Sequence, residues 1–220
     1  GMDYHFYKPA NTKYGAYQWL WDSAFHMIIW CQREPENAVR DLRTMLQFQQ
    51  PNGFVPEMIF WSEKQWWDKL GDRFVGYSNP KYTDISQMPM LGYALREIWN
   101  ATQEKPLLEE FVPKLVKYME WWDNERDPDN DGLLSIIHPW ESGLDASPLY
   151  DPAHGVKNPG FWGLYPKFLK LLRVYKKKAK WNQAKILERG WFNFEDVGVC
   201  SIYAENWNIL GKLADKIQKT

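Results

Sequence analysis

Apolar residues along this chain return every three or four positions, the spacing of a helix face, and no stretch shows the strict alternation of a half-buried strand. Tyr17, Leu20, Trp21, Ala24, Phe25, Ile28 and Ile29 form the first stripe. Glu34-Pro35-Glu36 restarts a helix with proline in its first turn, and Val39, Leu42, Met45 and Leu46 face inward. Gln50-Pro51-Asn52-Gly53 breaks it. A third helix is expected over 86–100, burying Met88, Leu91, Leu95 and Ile98. A fourth is expected over 112–123, because a first turn tolerates Pro113. Helices over 161–177 and 194–217 follow, with a short piece near 181–188 between them. Ile202, Asn206, Ile209, Leu213 and Ile217 share a face of the last. Residues 57–83, with Trp61, Trp66, Trp67, Asn79 and Pro80, read as a long irregular excursion, and such a connection usually has a function. The pattern predicts an all-α protein of six principal helices in a single domain, 1–220.

Residues 127–151 are denser in chemistry than any other segment. They gather carboxylates, a histidine, a tryptophan and hydroxyls in a stretch too broken by Gly and Pro for one helix. A loop holding Trp140, Glu141 and Asp145 offers a flat apolar face for a sugar ring and acids to protonate or bind it.

Four stretches share this character: Trp19-Leu20-Trp21-Asp22-Ser23-Ala24-Phe25-His26, Asn52-Gly53-Phe54-Val55-Pro56, Asp84-Ile85-Ser86-Gln87, and His138-Pro139-Trp140-Glu141-Ser142-Gly143-Leu144-Asp145-Ala146-Ser147-Pro148. In this order they resemble the inverting glycosidases built on an (α/α)6 toroid: the glycoside hydrolase family of processing α-glucosidase and mannosylglycerate hydrolase, with trehalase and the glucoamylases as more distant relatives. The complete toroid has twelve helices, so the resemblance implies a half-barrel, the first half of the catalytic domain. It implies inverting hydrolysis of a short α-glucoside or α-mannoside, sometimes on a small acid aglycone.

The resemblance also assigns residues. Asp145 matches the general acid, which must stay protonated near neutral pH until it gives its proton to the departing oxygen. Trp21, Asp22 and Gln87 match groups that hold the sugar, and an amide both donates to and accepts from hydroxyls. Trp19, Phe54, Trp140 and Glu141 complete the expected substrate-binding set, while His26 reads as a structural, hydrogen-bonded histidine. The family's general base is a glutamate of the second half, and no motif here supplies its counterpart. A non-catalytic carbohydrate-binding or assembly half of a split or truncated glycosidase is therefore the alternative. Two open edges of a half-barrel lead to the expectation of a homo-oligomer or a complementary half-barrel polypeptide as partner.

Composition narrows the remaining classes. The net charge is 27 − 28 = −1, so nothing favours nucleic acid or an anionic membrane. Fourteen tryptophans point to an aromatic-rich core with some rings left for a sugar groove. Cys31 and Cys200 each sit in a helical pattern and read as free buried thiols. No leader-like or membrane-spanning run is visible, which makes the cytoplasm the expected location. Asp127-x-Asp129-x-Asp131-Gly132 imitates the start of a calcium loop, but His138 stands where a bidentate glutamate is required. It reads as a solvated turn, and no metal or cofactor is expected.

Overall fold

The computed structural model describes residues 4–7, 16–62, 75–157 and 160–218. Among the described residues seven α-helices dominate: α1 (Leu20–Trp30), α2 (Pro35–Leu46), α3 (Leu91–Thr102), α4 (Lys105–Arg126), α5 (Gly160–Val174), α6 (Gln183–Arg189) and α7 (Val197–Gln218). Helix α1 packs on α2 and α3, and α7 packs on α3 and α4. Their shared core is aliphatic in the middle (Met27, Leu42, Leu95, Leu210) and aromatic toward α4 (Phe111, Tyr118, Trp122). A second cluster under α5 and α6 collects Ile85, Ile137, Leu172, Tyr175 and Ile186. Gly92 lets α3 and α7 close on each other: a Cβ there would lie 2.2 Å from Asn206 Oδ1.

Strands are few and short. β1 (Tyr17–Trp19) pairs antiparallel with β2 (Met58–Phe60), and β3 (Ser135–Ile136) with β4 (Phe194–Glu195). Pieces of two or three residues are too brief to show alternation, so the helical pattern hides them. Phe194 and Glu195 were expected inside the last helix. They form β4 instead, and Asp196 begins the helix by accepting Val199 N–H at 2.9 Å.

Two further boundaries and one buried face depart from expectation. The third helix begins at Leu91 rather than Ser86, because Pro89 biases Met88 to extended backbone and residues 86–88 bond to other segments. Helix α4 starts seven residues earlier than expected, with Pro106 in its first turn. Pro113 then lies in its interior, where packing of Phe111, Val112 and Leu115 outweighs the hydrogen bond the proline removes. On α1 the inward stripe is Leu20, Ala24 and Met27, while Phe25 and Ile29 are exposed, at 43% and 67%.

Trp121, Trp122 and Trp181 are buried, whereas Trp19, Trp21, Trp30, Trp61, Trp99 and Trp140 are only half-buried. Trp66 and Trp67 lie outside the described residues. Cys31 is buried and Cys200 half-buried, both as free thiols. Among the described residues no helix is long and apolar enough to cross a membrane. The carboxylates of Asp127, Asp129 and Asp131 come within 4.8 Å of one another. Asp127 accepts Asp131 N–H and Gly132 N–H, and Asp131 accepts Leu133 N–H, which makes the segment a self-bonded turn.

Candidate active site

Three segments converge at the start of α1. Leu20 N–H donates to Glu57 O at 2.9 Å, and Glu57 N–H donates to Ile85 O at 2.8 Å, so Glu57 is clamped between α1 and the 83–87 segment. Gln87 Oε1 accepts the backbone N–H of Trp21 at 3.1 Å, which satisfies one of the orphan donors of the helix N-terminus and leaves the NH2 group as the donor end of the side chain.

The acid-bearing loop closes on the same place. Gly143 has φ +69°, and a Cβ there would fall 2.5 Å from the Trp21 ring, so the indole lies close against the loop two residues before Asp145. Only glycine permits both the left-handed backbone and that approach. Trp21, Asp22, Gln87 and Asp145 are thus brought together from one helix and two connecting segments.

Their electrostatics follow from burial. Asp145 is half-buried, and desolvation raises its pKa, with Asp22 adding to the rise. Asp22 is raised by burial too, opposed by His26 one turn along α1. Two carboxyls in one partly dry site disfavour each other's charged form.

Glu57 is 3% exposed, and its Oε2 has no hydrogen-bond partner. Burial, then the charges of Asp145, Glu141 and Asp22, push its pKa well above the ordinary glutamate value.

Glu141 does not fit its expected role. It is fully buried and grips Arg126 with both oxygens, at 2.6 Å (Nη2 to Oε1) and 2.7 Å (Nη1 to Oε2). The same carboxylate accepts Ser86 N–H at 3.0 Å and Ile137 N–H at 2.8 Å. A group with four protein donors and no exposure has nothing left for a sugar. Its work is to join the end of α4, the Gln87 segment and the Asp145 loop, helped by Tyr118, whose hydroxyl donates to Gln87 O at 2.8 Å.

The other expected contacts divide. Trp140 is half-buried and edge-on to His138, with ring centroids 4.6 Å apart. Trp19 is half-buried at the N-cap of α1, beside Asp22's turn. Phe54 is buried edge-on against Trp121 in a separate cleft of about 480 Å³ with Tyr82, Asp84 and Trp181; Trp21, Asp22 and Asp145 do not line that cleft.

Arg126, Tyr118 and Ser86 escaped the sequence reading. Arg126 in Glu125-Arg126-Asp127 has the composition of a solvated helix end, and only its buried partner reveals otherwise.

Comparisons with known proteins identify the family. Residues 15–220 match the mannosylglycerate hydrolase MGH1-like glycoside hydrolase domain. The chain belongs to that family. It is 33% identical over 156 residues to a mannosylglycerate hydrolase of Thermus thermophilus, which covers 65% of this chain and 36% of that protein. Another relative, a glucosylglycerate hydrolase of Mycolicibacterium hassiacum, is 23% identical over 92% of this chain and 53% of its own length. A solved mannosylglycerate hydrolase from Thermus thermophilus, in complex with Tris and D-glycerate, superimposes with a TM-score of 0.82 at 26% identity, covering 93% of this chain and 54% of that one. The same enzyme in complex with glucose gives 0.81 at 27% identity. The chain spans about a third to a half of the length of the relatives it matches. The all-α, toroid-type architecture is that of the family.

Proposed function

We propose that this chain provides the sugar-binding and general-acid part of an inverting glycoside hydrolase acting on a short α-glucoside or α-mannoside, with a small acid aglycone as in the relatives' names. The observation that carries this reading is the close approach of the Gly143 loop to Trp21, which sets Asp145, its pKa raised by burial and by Asp22, at the sugar-holding residues. In the proposed reaction Trp21 stacks on the sugar's C–H face, Asp22 and Gln87 bind its hydroxyls, and Asp145 protonates the departing oxygen. Water activated by a second carboxylate attacks the opposite face.

Glu57, Glu141 and Glu205 are the glutamates to weigh for that second carboxylate, and none suits. Glu57 is buried with its pKa pushed well up, Glu141 is spent on Arg126, and Glu205 accepts from Asn208 on α7. None of the three is therefore assigned as the base. This same observation favours the second reading, a carbohydrate-binding half that needs a complementary polypeptide, or a second copy, for turnover.

Asp145→Asn tests the acid. Circular dichroism and melting should stay near wild type, while hydrolysis of an alkyl α-glycoside by the active assembly falls about 10²–10⁴-fold, as for other lost general acids. Undiminished turnover would remove Asp145 from the mechanism.

A further inference from the structure

The loop that carries Asp145 is pinned at both ends to one short stretch of chain. Upstream, Ser135 and Ile136 pair with Glu195 and Phe194. Downstream, the Tyr150 hydroxyl donates to Asp196 Oδ2 at 2.5 Å. Asp196 is itself fixed, since its other oxygen caps α7. Tyr150 is 1% exposed and packs edge-on against Phe192 and Phe194, with centroids 5.7 and 5.1 Å away. Between the two pins the loop has only short 3-10 turns, with Leu144 and Leu149 exposed. The Tyr150 phenol lies beside Ser142 and within electrostatic reach of Asp145. A phenylalanine would fill the same space, so the hydroxyl is there for its bond.

We propose that Tyr150, through its hydrogen bond to Asp196, is a positioning residue for Asp145, holding the downstream limb of the loop so that the acid stays seated beside Asp22. The proposal rests on the reading of Asp145 as general acid. A hydroxyl bonded to a carboxylate is short and strong, which suits a tether. The tether matters because a shift of about 1 Å in a reacting group costs on the order of 10²-fold in rate.

The test is the dependence of Tyr150→Phe on the leaving group. An alkyl α-glycoside needs a proton on its departing oxygen, whereas a glycosyl fluoride loses fluoride ion with little help from an acid. In the active assembly, kcat for the alkyl glycoside should fall about 10–100-fold, with KM and the fluoride rate near wild type. Asp196→Asn, which keeps the helix cap but offers one oxygen fewer, should move the same way. Equal loss on both substrates would show a general structural role and overturn the proposal. Asp145→Asn is the control. If it shows no such selectivity, the acid assignment itself fails; if it does and Tyr150→Phe does not, only the tether fails. A second measurement needs no turnover: a carbon-13 NMR titration of the Asp145 carboxyl, which Asp22 and Glu57 face. Loosening the loop should lower its midpoint toward that of an ordinary aspartate. An unchanged midpoint in Tyr150→Phe would overturn the proposal as well.

Discussion

Replacing Glu141 by glutamine should be among the most damaging single changes in the protein. The carboxylate receives four protein donors: Arg126 twice, Ser86 N–H and Ile137 N–H. Removing one partner of a buried ion pair typically costs ~3–5 kcal/mol, because the other charge is left uncompensated. For a chain of this size each kcal/mol shifts the melting temperature by ~2–4 °C, so a fall of about 10 °C is expected. The double variant Arg126→Met with Glu141→Leu separates two contributions. Apolar replacement of a buried pair is often neutral or stabilising. Here it would still strand the N–H groups of Ser86 and Ile137, each at ~1–3 kcal/mol, so the double variant should remain less stable than wild type. Urea unfolding followed by tryptophan fluorescence measures both. Glu141→Gln within about 1 kcal/mol of wild type, below the range for a broken buried pair, would refute the reasoning. A double variant as stable as wild type would show that the two backbone bonds carry nothing.

Asp41 governs a pH-dependent part of stability. It is fully buried, accepts from Gln18 Nε2 at 2.7 Å, and burial raises its pKa from 3.8 to about 8. Between those values the folded state binds the extra proton, so this contribution falls as pH rises from 4 to 8. Asp41→Asn should flatten the decline in melting temperature over that window, and an unchanged slope would mean the group ionises freely. Burial also lowers the pKa of His138 to about 3, so the folded state resists a proton that the unfolded chain accepts near 6.5. Its contribution is present above pH 6.5 and lost as the pH falls toward 3, and His138→Gln should weaken that acid limb of the melting curve. The exposed Phe25 and Ile29 of α1 predict self-association or capture of a complementary polypeptide. Size-exclusion chromatography with light scattering would show it, and a clean monomer would defeat it.

The helices were legible because their apolar faces repeat over many residues, as in Val39, Leu42 and Met45. What escaped was set by distant partners. Phe194 and Glu195 become strand because Ser135 and Ile136 lie alongside, and nothing local marks that pairing. Phe25 and Ile29 continue a stripe in sequence, yet α2 and α3 cover the Leu20, Ala24 and Met27 side instead. At the site, Trp21, Asp22, Gln87 and Asp145 were legible as a motif set, and the structure brings them together. Glu141 was not, since a glutamate in a sugar-binding motif reads the same whether it meets a hydroxyl or a buried guanidinium. Its partner, Arg126, lies fifteen residues away at the end of another element.

The most direct test of the account is where a sugar binds. Nitrogen-15 NMR of the chain, titrated with glucose and with mannose, reports the indole N–H of each tryptophan and the side-chain amide of each glutamine. The account predicts that the Trp21 and Gln87 signals move first and furthest, and that Asp22→Ala abolishes the response. Shifts confined to Trp121 and Trp181, which line the separate cleft beside Phe54, would contradict it, and so would shifts at Trp21 and Gln87 that survive Asp22→Ala.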